Sequence, residues 1–209
     1  MNPPRGWTPV GIPSFAETGP GASPRVLMLG DSRIAQWKVF SPERIHAFNA
    51  GVGNETTAQI SLRMGDALRQ IKPAVIVIEA GINDLKTIQL MPKAQREIED
   101  NCVNHILSWV QMGRESGAAV VVVSVLPAGK VEWSRWLLWS NAVGDSTQNV
   151  NRKLEERCRG QAHVQFLDLS SEVQVEQDYI DTLHFNVGFY ERISPRVIKA
   201  IDEVLLSKQ

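Results

Sequence analysis

The chain has almost no net charge: 22 Lys and Arg stand against 23 Asp and Glu in 209 residues. No basic stripe or aromatic-interleaved Lys/Arg patch stands out, which argues against a nucleic-acid partner. No apolar run is long enough to span a membrane. The N-terminus lacks a charged segment followed by an apolar one, so no secretory signal is read and a cytoplasmic protein is expected. There are only two cysteines, Cys102 and Cys158, both at apolar positions of predicted helices. They read as small buried residues, not as a disulfide or a metal pair. Nothing resembles a metal-ligand cluster at the usual spacing, so no metal and no other cofactor is expected. Internal repeats are absent. The length and the ordinary apolar content suit one domain with a sizeable core.

Residues 1–24 are rich in proline and glycine and follow neither structural period, so they read as a loop-like arm. A single domain is expected over 25–209. The apolar run Arg25-Val26-Leu27-Met28-Leu29 stops at Gly30, and Ile34 and Trp37 follow at helical spacing. Strand, tight turn and helix are therefore expected there. Further strands are expected at 44–49, 74–78, 118–125 and 164–169. Helices are expected at 56–71, 93–116, 133–160 and 187–206, with a turn near Gly144 able to break the third and Pro195 able to kink the last. The alternation predicts a three-layer α/β/α domain around a parallel sheet in the order 2-1-3-4-5. Loops at the C-terminal ends of such strands converge on one site.

Each chemically suggestive stretch falls on one of those loops. Ser32 lies two residues past the first strand, where a sharp turn can lift a serine hydroxyl above the sheet. The blander explanation is a helix N-cap. After the second strand, Asn49 to Thr57 carries two glycines, and the Gly51 N–H is placed to face a developing oxyanion. A turn followed by a cap explains the same residues without chemistry. After the third strand, Asn83 offers an uncharged amide donor. An Asx turn is the alternative there. After the fifth strand, Asp181 and His184 sit three apart. They can share one imidazole nitrogen and leave the other free to take a proton from Ser32. His46, His105 and His163 have no acid at that spacing and read as structural or surface residues.

Taken in order, Gly30-Asp31-Ser32, Gly51 in an Asn-x-Gly stretch, Gly81-x-Asn83-Asp84 and Asp181-x-x-His184 resemble the SGNH (GDSL-type) hydrolases. The likeness covers about Arg25 to Leu206. Pro127, Asn151, Asn186 and Tyr190 fit it as well. It implies a flavodoxin-like fold and no metal. It also implies Ser32 as nucleophile, His184 as general base and Asp181 as its orienting acid. The oxyanion hole would be formed by the Ser32 and Gly51 N–H groups and the Asn83 side chain. Two departures stand out: Arg33 and Ile34 follow the serine, where many members have Leu or Ile and then Thr, and Asn54 stands where glycine is frequent. Neither removes a catalytic group, but either could reshape the pocket, so the family's substrates do not carry over.

The expected reaction is hydrolysis of a small-molecule carboxylic ester, acyl or acetylated carbohydrate, through an acyl-enzyme. An O-acyltransferase on the same triad and a non-catalytic flavodoxin-like ligand-binding protein remain alternatives. Trp133, Trp136 and Trp139 follow the fourth strand and are candidates for substrate binding. A helix packing its aromatic face on the core would explain their spacing equally well. Oligomeric state is not encoded in these motifs.

Overall fold

The computed structural model describes residues 23–38, 45–130 and 142–208. Along the chain run β1 (Arg25–Gly30), α1 (Ser32–Gln36), β2 (His46–Gly51), α2 (Thr57–Ile71), β3 (Val75–Glu79) and α3 (Ile82–Leu85). They are followed by α4 (Gln95–Glu115), β4 (Ala119–Val123), α5 (Ala142–Cys158), β5 (Val164–Leu167) and α6 (Val187–Leu206). The five strands form one sheet in the order β2-β1-β3-β4-β5, every pair parallel. This is the expected order. Parallel neighbours need crossovers, and the helices that make them cover both faces.

The alternation within each strand divides the core in two. Leu27, Leu29, Ile76, Ile78, Val120 and Val122 face α2, α4 and α5 and pack with Ile60, Met64, Ile106, Trp109, Val150 and Leu154. Val26, Met28, Val75, Val77, Val121 and Val123 face α1 and α6, meeting Ile34, Trp37, Phe189, Ile193 and Val197. Successive side chains of one strand point to opposite faces, so an unbroken apolar run is what a doubly covered strand requires. The edge strands β2 and β5 are only partly buried and carry more polar residues.

Local signals set the element ends. The Gln59 side chain accepts the Thr56 N–H at 2.9 Å at the start of α2. Left-handed Lys72, at φ 46°, closes the helix just before Pro73. Asn186 caps α6 by accepting the Phe189 N–H at 3.0 Å. One expectation needs correction: α5 runs through Gly144 without a break. α6 continues on both sides of Pro195. His163 lies in the turn before β5 at φ 62°. Cys102 and Cys158 are buried free thiols. The arm over 1–22 and Trp133, Trp136 and Trp139 lie outside the described residues.

Candidate active site

Ser32 is the first residue of α1, one residue beyond Asp31, whose Oδ1 accepts the Arg33 N–H at 2.9 Å. Two glycines make this turn possible. A Cβ on Gly30 would lie 2.0 Å from the Glu79 carbonyl oxygen, and one on Gly51 would lie 2.1 Å from the Ala35 nitrogen. β1 thus presses against β3 at its end, and α1 presses against the end of β2.

His184 sits in the loop between β5 and α6. Its Nε2 lies 3.0 Å from Ser32 Oγ, and its Nδ1 lies 2.7 Å from Asp181 Oδ2. The other Asp181 oxygen, Oδ1, accepts the N–H groups of Leu183 at 2.7 Å and His184 at 2.8 Å. Burial pushes the Asp181 carboxyl up. The bonds from the His184 ring and from the two N–H groups outweigh it, and the pKa falls below the usual value. The His184 and Asp181 side chains keep roughly a quarter to a third of their surface open to solvent, at 26% and 33%. A small molecule can therefore reach the pair.

Asn83 is buried in the first turn of α3. Its Oδ1 accepts from the Lys86 ammonium at 2.7 Å, and its Nδ2 donates to the Glu55 carbonyl at 3.0 Å. The two partners fix which way the amide points. A primary amide carries two N–H bonds, so one remains for a ligand. The neighbouring Asp84 ties this loop to α2, its two oxygens accepting the Thr57 N–H at 2.9 Å and hydroxyl at 2.6 Å. Asn151 clamps the strand β4 extension, bonding both the N–H and the carbonyl of Val125.

Gly51 is differently employed from the expectation. Its N–H donates to Asn49 Oδ1 at 2.9 Å, so it is not free for an oxyanion. Two N–H groups in this loop, those of Gly53 and Asn54, have no partner among the described residues. Asn54 has φ 65°. Asparagine tolerates that left-handed conformation better than most residues, which suits it to a position where glycine is frequent. The N–H of Ser32 is likewise without a partner among the described residues.

The Arg33 side chain turns into the protein and not toward solvent. It is buried, and so are Asp31 and Glu79 beside it. Glu79 Oε1 lies 3.6 Å from Arg33 Nη1, an ion pair outside hydrogen-bond range. Burial pushes the Glu79 carboxyl up to about 8, helped by the nearby Asp31 and opposed by Arg33. Burial also raises Asp31, against the pull of Arg33. His105 and His163 contact Thr57 and Ser207, away from Ser32, Asp181 and His184. Among the described residues, no group of three or more His, Cys, Asp or Glu is placed to hold a metal ion.

A serine at the end of β1, backed by an imidazole and a carboxylate from the loop after β5 on this sheet, defines the class of α/β proteins with a serine relay at the strand ends. The GDSL-like Lipase/Acylhydrolase family model matches residues 14–192. The chain belongs to that family and is an ester hydrolase. A GDSL-like lipase from Bacteroides thetaiotaomicron is 22% identical at a TM-score of 0.68, over 86% of this chain and 88% of that one. The aryl esterase of M. smegmatis is 16% identical at 0.69, over 87% and 100%. A catalytic mutant of an acetylxylan esterase from Geobacillus stearothermophilus is 15% identical at 0.64, over 87% and 95%. At these identities the likeness is one of fold. No curated protein matches the chain in sequence. No helix among the described residues is long and apolar enough to cross a membrane.

Proposed function

We propose that the protein is a serine esterase working through an acyl-enzyme, with Ser32 as nucleophile, His184 as base and Asp181 as the acid that orients it. The unbroken relay of 3.0 Å and 2.7 Å from Ser32 Oγ through His184 to Asp181 carries this reading. His184 Nε2 takes the Ser32 proton as Oγ attacks the ester carbonyl. Negative charge builds on the carbonyl oxygen. The Ser32 N–H, the spare Asn83 Nδ2–H and the Asn54 N–H are the proposed donors to it, Asn54 replacing Gly51. His184 then protonates the departing alkoxide, and water deacylates the serine by the same route. Asp181 stays ionised throughout. Its lowered pKa supports that, since a protonated acid would leave Nδ1–H without its acceptor.

The substrate is a small-molecule ester. The names of the neighbours suggest the first esters to try: acetyl esters from the acetylxylan esterase and aryl esters from the aryl esterase. Trp133, Trp136 and Trp139 are proposed as substrate-binding residues from their position after β4. The test is hydrolysis of p-nitrophenyl esters and acetylated sugars, with fluorophosphonate labelling. Ser32→Ala should fold, lose labelling and lose kcat by an amount on the order of 10⁶, the scale of a triad serine. Full turnover in that variant would remove the mechanism. Transfer of the acyl group to an added alcohol in preference to water would make the protein an acyltransferase.

A further inference from the structure

Arg33 is the departure from the family pattern whose place in the structure is least expected. The guanidinium is 1% exposed. Its Nε donates to the Leu183 carbonyl at 3.0 Å, its Nη1 to Leu126 at 2.5 Å and its Nη2 to Pro127 at 2.9 Å. The Phe185 ring lies 4.9 Å from its Cζ. Leu183 and Phe185 are the two residues that flank His184. Leu126 and Pro127 continue β4, and Tyr179 from the histidine loop donates to the same Pro127 carbonyl at 2.5 Å.

We propose that Arg33 is the positioning residue for the base, locking the loop that carries His184 to the helix that starts with Ser32. The proposal rests on the serine esterase reading. Between β5 and α6 the chain runs from 168 to 186 with only one short 3-10 turn. An antiparallel bridge between Tyr179 and Phe185, with the Ile180 N–H donating to the His184 carbonyl at 2.9 Å and the Asn186 N–H to the Asp178 carbonyl at 2.7 Å, shapes the loop internally, but those bonds do not tie it to α1. A planar guanidinium supplies several donors in a fixed fork, which a flexible ammonium does not. Because Arg33 follows Ser32 directly, the fork references the loop to the nucleophile itself. Leucine or isoleucine at this position could fill the volume but could not bond the three carbonyls.

The competing explanation is that Arg33 only balances the buried Glu79. The double variant Arg33→Leu/Glu79→Leu separates the two. Replacing a buried ion pair by apolar residues is often neutral or stabilising, so this variant should fold. The three carbonyls nevertheless lose their donor. A misplacement of about 1 Å can cost on the order of 10²-fold in rate, so kcat should fall roughly 10- to 100-fold with little change in KM. Fluorophosphonate labelling of Ser32 should slow in step. The downfield Nδ1 proton resonance of His184 should broaden or vanish in the NMR spectrum. Arg33→Lys keeps the charge beside Glu79 but not the fork, and it should show the same changes to a smaller extent. It also serves if the double variant does not fold. A folded variant with wild-type kcat, labelling rate and a sharp His184 resonance would reduce Arg33 to a structural role and overturn the proposal. The resonance does not depend on turnover. A wild-type protein without Ser32-dependent labelling would sink the esterase reading, while a broadened resonance in the variants would still uphold the positioning role.

Discussion

Asn83 is held from both ends, by the Lys86 ammonium on its oxygen and the Glu55 carbonyl on its nitrogen. That restraint leaves one N–H aimed in a fixed direction, which is what a donor to a transient charge requires. Such a donor acts mainly in the transition state, so its loss falls on kcat and spares KM. Asn83→Ala should therefore cost about 10²–10³ in kcat. A raised KM at unchanged kcat would make Asn83 a substrate-binding residue instead. Asn54 behaves differently, because its proposed donor belongs to the backbone. Asn54→Gly keeps the N–H and suits φ 65°, so kcat should stay within about two-fold while Asn83→Ala fails. A loss in Asn54→Gly as large as that of Asn83→Ala would mean that the side chain does the work.

At the scale of elements, the loops after β1, β2, β3 and β5 are accounted for in the relay and its proposed donors, and the segment after β4 is not. Trp133 to Trp139 is the proposed specificity element because it follows β4 in the sequence, and the C-terminal ends of these parallel strands lie on the side of the sheet that carries Ser32. Each acyl methylene buried in an apolar groove is worth about 0.8 kcal/mol. If the tryptophans line such a groove, alanine at one of them should flatten the dependence of kcat/KM on chain length. If they stack on sugar rings, alanine should weaken acetylated glycans and spare p-nitrophenyl acetate. Three variants that lose only melting temperature and keep both profiles would return the tryptophans to the core. The legibility of the chain follows the same division. β1, β3 and β4 could be read directly because burial on both faces demands continuous apolar runs. Asp181 and His184 could be read because their contact is local, three residues apart. The use of Gly51 is not legible in the sequence, because its two roles, bonding Asn49 and admitting α1, arise from a neighbouring side chain and a packed helix. Arg33 could not be placed because its partners lie 93, 94 and 150 residues away.

For the molecule as a whole, the buried charges beneath the site make folding sensitive to pH. Glu79 is enclosed with Asp31 and Arg33, two carboxyls and one guanidinium all removed from the surface. In the unfolded chain the Glu79 carboxyl ionises near its ordinary value of 4.5. In the folded protein it holds its proton up to about 8. Between these values the native state binds the extra proton, so stability falls as pH rises and levels off above about 8. Asp31, raised for the same reason, acts in the same direction. Asp181 and Asp168 are lowered and work in the opposite sense, withdrawing stability only as pH drops through the acid range. Glu79→Gln imitates the protonated form at every pH. Its melting temperature should match the wild type near pH 4.5, pull ahead steadily toward pH 8, and keep a constant lead beyond. Thermal unfolding from pH 4.5 to 9 measures this. Parallel curves across that range would mean that Glu79 is ionised in the folded protein throughout. The Arg33 ion pair, and not a retained proton, would then be what makes its burial tolerable.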